Sequence, residues 1–313
     1  MSVEVIEDLE KLPPPLRRCV LTVGNFEGVH LGHQAILHRG RKLADAEAAA
    51  LVAMTFDRPT RLALSDRGDA EPILPKQVKY RLLGEAGADA VVVMPASPAL
   101  LAMDAEAFVR EVVVGRLAAL HVVEGTDFRF GRGRGGSTET LRALSGEGGY
   151  DVIEVAPVTA ELPGQGRVRI SSSLIRSLLA DGKVADAALC LGRPFVLYGR
   201  VVGGEGRGRK LSFPTANVAP AATIVPGDGI YAAWAELGGQ RYKAAVSIGN
   251  KPTFGSGERC IEANLIDAAG DFYGQSIALA FVARLRDQAR FPDAGALRAQ
   301  IGKDVERVRE LCR

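Results

Sequence analysis

Residues 18–34, Arg-Cys-Val-Leu-Thr-Val-Gly-Asn-Phe-Glu-Gly-Val-His-Leu-Gly-His-Gln, constrain the fold more than any other stretch of the chain. The apolar run Cys19–Val23 reads as a buried strand, and Gly24 ends it. A short polar loop then gives way to a helical pattern that begins around His30-Leu-Gly-His33. Histidines at i and i+3 share one face of that first turn, where backbone N–H groups point outward unpaired and the helix dipole is positive. A strand, a tight turn and a donor-lined helix start together make a site for phosphate. The competing reading, a solvated histidine pair or a fragment of a metal site, does not account for the glycines on either side.

The remainder of the first 190 residues repeats this strand–helix rhythm. Strands are expected at Cys19–Val23, Ala50–Phe56, Ala90–Met94, Ala119–Gly125 and Val152–Ala156, with helical patterns at Gln34–Glu47, Lys76–Glu85, Ala105–Leu117 and Ser137–Leu144. Uniformly apolar strands alternating with helices predict a parallel sheet covered on both faces, with ligands gathered at the strand C-termini. Ser171–Leu179 and Val184–Leu191 read as two closing helices. Beyond them come closely spaced β-rich runs at Phe195–Val202, Gly229–Leu237, Lys243–Ile248, Glu262–Asp267 and Ser276–Leu285, which predict a small antiparallel barrel. An amphipathic helix, Ala296–Leu311, follows, with Leu297, Ile301, Val305 and Val308 on one stripe as packing surface. The expected division is 1–190 and 191–313, in line with a chain of 313 residues.

Bulk properties exclude several classes. A net charge of +2 gives no electrostatic reason to expect nucleic acid or a membrane surface as partner. Local basic clusters, 129–134 and 207–210, suit small phosphorylated molecules. Four widely spaced cysteines fit neither a zinc site nor a disulfide framework and agree with a reducing compartment. No apolar run approaches membrane length and the first residues are acidic, so a cytoplasmic protein is expected. Whether it forms a homo-oligomer the sequence leaves open.

The pattern Gly24-x-Phe26-Glu27-Gly28-x-His30-x-Gly32-His33 resembles the signature of the HxGH nucleotidyltransferases, and within them the bacterial bifunctional riboflavin kinase/FAD synthetases. Three later segments resemble the same module: Gly125-Thr-Asp127-Phe128-Arg129-Phe130-Gly131 with its arginines, Ile170-Ser171-Ser172-Ser173-Leu-Ile175-Arg176, and Leu74–Leu83 with Lys79, which a solvated helix explains equally well. The resemblance implies that ATP binds near the HxGH helix and that FMN attacks its α-phosphate. Gly24, Phe26, Gly32 and Ser171–Ser173 would line the nucleotide; His30, His33, Ser172 and Arg176 would be the donors; Asp127, Phe128 and Arg129 would lie beside the flavin. Such a transfer needs no covalent intermediate, only in-line positioning and stabilisation of charge. Two departures stand out: Glu27 where the family usually has Asp, and Phe56-Asp57-Arg58-Pro59-Thr60 where it tends to show Phe-x-Pro-His-Pro.

The second half begins with a Gly-rich stretch, Gly199 to Gly208, that leads to Phe213-Pro214-Thr215-Ala216-Asn217. It lacks P-loop spacing. Read alone, it is a long hairpin loop or a phosphate-wrapping segment with Thr and Asn oxygens for magnesium. It resembles the riboflavin kinases, as do Gly229-Ile-Tyr231, Ser247–Gly255, Glu262-x-Asn264-Leu265, Phe272-Tyr273-Gly274 and Phe281-x-x-x-Leu-Arg286, in order. The resemblance implies that Gly206, Gly208, Thr215 and Asn217 bind ATP, that Thr215 and Asn217 hold Mg2+, that Glu262 is the general base, and that Arg286 contacts flavin. Asn264 stands where the family commonly has His.

The expected activity is therefore phosphorylation of riboflavin to FMN followed by adenylylation of FMN to FAD, each with ATP. Alternatives are a kinase with an impaired adenylyltransferase, a catalytically dead flavin- or nucleotide-binding regulator, and an HxGH adenylyltransferase for another substrate. The match Gly131-x-Gly133-x-x-Gly136 to a dinucleotide fingerprint falls too late in the strand order to favour a dehydrogenase.

Overall fold

The computed structural model describes residues 3–58, 71–203, 215–250 and 259–313. The chain forms two compact units, Met1–Glu161 with Gly166–Ser172, and Leu162–Gln165 with Ser173–Arg313.

The first unit is built on six strands, β1 (Glu4–Ile6), β2 (Val20–Val23), β3 (Leu51–Phe56), β4 (Ala90–Met94), β5 (His121–Gly125) and β8 (Asp151–Val155). They form one sheet of order β1-β4-β3-β2-β5-β8, parallel throughout. Apolar runs form the centre because each strand there is buried on both faces. All of β2, and all of β3 except Phe56, is buried. Each fully buried Val, Leu or Met contributes about 1.5–3 kcal/mol. The edge strand β1, absent from the sequence reading, pairs with β4 through three residues too few to show a period. Between β5 and β8 the chain makes a two-stranded ribbon of β6 (Arg129–Phe130) and β7 (Gly136–Ser137), then the helix Thr138–Gly148. A hairpin of β9 (Thr159–Leu162) and β10 (Gly166–Arg169) follows β8. Strand order reverses between β2 and β5, which places the ligand crevice of such a sheet at their C-terminal ends.

The second unit holds β11 (Val196–Val202), β12 (Thr215–Pro220), β13 (Gly229–Leu237), β14 (Gln240–Asn250), β15 (Arg259–Leu265) and β16 (Ser276–Arg286). They close into a barrel of order β11-β12-β15-β14-β13-β16, antiparallel at every junction. Side chains alternate between its interior and its outer face. Val218, Val246, Ile261, Ala263 and Phe281 are buried, while Asn217, Ser247 and Glu262 are only half-buried. The helix Ala294–Leu311, capped by Asp293 Oδ1 on the Ala296 N–H at 2.8 Å, packs Val308 and the following Cys312 against Ala232 and Ile266, with Val305 beside them. The expected parallel sheet, barrel and packing helix are all present. β12 is a strand where the sequence reads as loop.

Candidate active sites

In the first unit the chain leaves β2 through three left-handed residues, Phe26 (φ 48°), Gly28 (φ 74°) and Val29 (φ 42°). A β-branched residue at positive φ is strained, and it persists only where its surroundings hold it. Phe26 and Val29 are buried at 2% and 1% exposure, which supplies that hold. The turn delivers His30 to the N-cap of the helix Leu31–Ala46, where its Nδ1 accepts the His33 backbone N–H at 3.4 Å. The two imidazoles stack with centroids 3.6 Å apart, and Phe26 meets His33 edge-on at 5.2 Å. A β-carbon at Gly32 would lie 3.1 Å from the His30 ring, and one at Gly24 3.3 Å from the Phe26 ring, so both glycines make room for the cluster. Ser172 Oγ reaches the Glu27 carbonyl at 3.3 Å.

Lys79 is the residue that sequence reasoning undervalued. It lies on the inward stripe of the helix Lys76–Glu85, one turn before the buried Leu83, and not on a solvated face. Its ammonium donates to Thr55 Oγ1 at 3.0 Å, to the Phe56 carbonyl at 3.2 Å and to the Asn25 carbonyl at 3.4 Å. All three N–H groups are thus directed at the C-terminal ends of β2 and β3. Burial lowers its pKa to about 8, opposed by the carboxylates of Glu27 and Asp57. Burial also pushes the His33 imidazole well below its ordinary value, reinforced by His30 and Lys79. His33 is therefore neutral at pH 7. Its Nδ1 is among the buried polar atoms without a hydrogen-bond partner in the described residues. A lysine at i−4 from a buried leucine was the available signal.

At the end of β5, Asp127 pairs with Arg169. Phe128 stacks on Phe130 at 5.3 Å, and Arg129 Nη1 donates to the Phe128 carbonyl at 2.7 Å. Of the departures, Asp57 Oδ1 accepts the Ala96 N–H at 2.9 Å and Arg58 donates to the Ala96 carbonyl at 3.3 Å. Those two residues tie β3 to the turn after β4. Ser171 is half-buried. Ser173 is exposed and Arg176 half-buried on the helix Ser172–Ala180, with Arg176 one turn beyond Ser172 on the same face.

The barrel collects its candidates by register. Asn217 of β12 stands directly opposite Glu262 of β15, which in turn stands opposite Ser247 of β14. One step along, Thr215 is opposite Asn264 and Asn264 opposite Ala245. Directly opposed side chains share a face with Cβ atoms about 4.5–5.5 Å apart. The face that carries Thr215, Asn217, Ser247, Glu262 and Asn264 is the outer one, since Val218, Ile261, Ala263 and Val246 fill the interior. Gln288 donates to Ser247 Oγ at 3.4 Å. Arg286 forms a fork with Asp304 of the C-terminal helix, Nε to Oδ1 at 3.0 Å and Nη2 to Oδ2 at 2.7 Å, and gives its third donor to the Asp287 carbonyl at 2.9 Å. Gly206, Gly208 and the segment 251–255 lie outside the described residues.

Among the described residues no cluster of three or more His, Cys, Asp or Glu could hold a metal, and no helix is long and apolar enough to cross a membrane. Neutral oxygens on Thr215, Asn217 and Asn264 beside the Glu262 carboxylate are a donor set suited to a hard cation that keeps waters and substrate phosphates as further ligands.

Residues 12–173 match the family model for FAD synthetase, and residues 191–312 match that for riboflavin kinase. The chain is 35% identical over 299 residues to a bifunctional riboflavin kinase/FMN adenylyltransferase of Escherichia coli strain K12, covering 95% of this chain and 94% of that one. Proteins of the same description from Pseudomonas fluorescens (34%, covering 99% and 98%) and Bacillus subtilis strain 168 (33%, covering 92% and 91%) are similar. A crystal structure from Streptococcus pneumoniae, described as a macrolide-efflux protein, matches over 99% of both chains with a TM-score of 0.89 and 29% identity.

Proposed function

The chain belongs to the bifunctional riboflavin kinase/FMN adenylyltransferases, and we propose that the residues gathered at the two sites divide its reactions between them. Riboflavin phosphorylation falls to residues 191–313 and FMN adenylylation to residues 1–190.

In the kinase reaction the 5′-hydroxyl of riboflavin attacks the γ-phosphorus of ATP. The O–P bond forms as the bond to the β-phosphate oxygen breaks, and Glu262 takes the hydroxyl proton. Asn217 and Thr215 orient the phosphates from the neighbouring strand. Mg2+, held by Thr215 and Asn217, would supply positive charge to the phosphates when bound. The resemblance assigns Gly206 and Gly208, outside the described residues, to ATP binding as well. The observation that supports this arrangement is the direct opposition of Asn217 and Glu262 across β12 and β15. In the adenylyl transfer an FMN phosphate oxygen attacks the α-phosphorus of ATP and pyrophosphate leaves. His30, neutral His33, the Lys79 ammonium, Ser172 and Arg176 meet the developing charge, and Gly24, Phe26, Gly32, Ser171 and Ser173 shape the nucleotide pocket. Asp127, Phe128 and Arg129 receive the flavin. Arg286 acts on flavin through the end of β16, which its fork with Asp304 holds in place.

Flavins separated over time after addition of riboflavin, ATP and Mg2+ test the division of labour. Glu262→Gln is expected to form FMN from riboflavin at least about 10²-fold more slowly yet convert supplied FMN to FAD. His33→Ala is expected to stop at FMN. If either variant lost both steps, or neither, the residue assignment would be wrong.

A further inference from the structure

β2 and β5 pair only at Val20–His121 and Leu21–Val122. Each nevertheless continues: β2 beside β3 as far as Val23–Met54, and β5 beside β8 as far as Gly125–Val155. The two strands thus part at the reversal of strand order, and Glu124 fills the gap at 3% exposure. The backbone dictates why something must. Val20 and Gly24 give their N–H groups to Ala50 and Met54 of the β3 side, so by alternation the Val23 N–H points toward β5. No strand accepts it there. Glu124 Oε1 does, at 2.5 Å, and Thr22 Oγ1 lies 3.5 Å from the same oxygen.

A carboxyl in an otherwise apolar buried strand is costly, and burial drives its pKa well above the ordinary value against the pull of the Val23 and Thr22 bonds. Its register neighbour on β8 is Glu154, which pairs with Arg142 at 3.2 Å. The position of Glu124 is what distinguishes it. Val23 is followed by Gly24–Val29 and the histidine pair; Glu124 is followed by Gly125 and Asp127–Arg129.

We propose that Glu124 is a positioning residue for adenylyl transfer: bridging β2 and β5 where their ladder ends, it fixes the spacing between the loop that receives ATP and the loop that receives FMN. The inference rests on the assignment of those two loops given above. An attack on phosphorus tolerates little error in the distance between its partners, and in this sheet one side chain joins the roots of the two loops.

The test uses the full chain with Glu124→Gln, Glu124→Asp and Glu124→Val, measuring kcat and KM for FAD formation and for riboflavin phosphorylation in the same preparation. Glutamine keeps the acceptor at the same reach, so both activities are expected within about twofold of the parent. Aspartate keeps the acceptor on a shorter arm, and KM for FMN is expected to rise about fivefold. Valine removes the bridge, and kcat/KM for FAD formation is expected to fall at least tenfold with phosphorylation unchanged. The proposal is overturned if the aspartate chain matches the parent, or if the glutamine chain is as impaired as the valine chain; the aspartate result decides should valine prevent folding. A His33→Ala control separates the two levels. If it too leaves FAD formation intact, the loop assignment fails before the bridge is in question.

Discussion

The imidazoles of His30 and His33 lie 16° from parallel with centroids 3.6 Å apart, and Nδ1 of His30 accepts the His33 backbone N–H. Burial, reinforced by His30 and the Lys79 ammonium, keeps the His33 imidazole in its neutral form.

The pH dependence of FAD formation follows. His33 is held well below 6.5 and adds no limb of its own between pH 6 and 7, where the substrate phosphates ionise. Lys79 sits at about 8, so its ammonium is lost as pH rises through that value and kcat/KM falls above it. Riboflavin phosphorylation, run on the same samples, should lack this alkaline limb. A decline in FAD formation that sets in well below pH 8 would contradict the assignment to Lys79.

Lys79→Met removes three hydrogen bonds and the ammonium directed at the ends of β2 and β3. FAD formation should fall by about 10²-fold, the range for a lost electrostatic donor. FMN formation should stay within about twofold. Steady-state assays of both reactions decide it, and equal losses in the two would mean that the substitution damages folding instead.

On the barrel, Glu262→Gln should lower riboflavin phosphorylation by about 10²–10⁴-fold, the usual contribution of a general base. Asn217→Ala should chiefly raise KM for ATP. A KM-against-kcat comparison separates the two, and a Glu262→Gln chain with ordinary turnover would exclude proton removal by this carboxylate.

Glu124 also makes a stability prediction. Its folded pKa lies above the unfolded value near 4.5, so the unfolded chain releases the proton first as pH rises. The first unit then loses stability from about pH 4.5 upward until the folded pKa is passed, by about 1.4 kcal/mol per pH unit. Glu124→Gln escapes that loss. Urea unfolding should show the variant equal to the parent at pH 4 and more stable at pH 8; a gap that narrows with pH would contradict the neutral acid.

Arg286 and Asp304 form a pair in which the aspartate is 8% exposed. Asp304→Ala strands the guanidinium and should destabilise the barrel by about 3–5 kcal/mol. If Arg286 also contacts flavin directly, Arg286→Met would raise KM for riboflavin beyond what Asp304→Ala does, at temperatures where both remain folded.

Much of this was legible from sequence because long apolar runs and the glycine-flanked histidines obey local rules. The central strands β2, β3 and β4 are too uniformly apolar to be anything but buried, and the His30 helix start follows from its turn. What local rules miss is inwardness of a polar residue. Lys79 reads equally well as solvated until Leu83 is seen to share its stripe, and Glu124 passes unmarked inside the expected strand Ala119–Gly125 until β2 is found to leave an N–H without a strand partner. β12 escaped notice for a different reason: Thr215–Pro220 is short, holds Asn and Ala, and ends in proline, so its extended state comes from its neighbours β11 and β15.

The alternation along β15 has a consequence for how such a chain can change. Ile261 and Ala263 are buried in the barrel while Glu262, the proposed base, is half-buried on the outer face between them, so proposed chemistry and folding are written in alternate letters of one strand. Point replacements on the outer letters can silence the reaction and spare the barrel, leaving a folded protein free to acquire another use. Loss of a single codon cannot, because it exchanges the two alphabets and removes scaffold and reaction together.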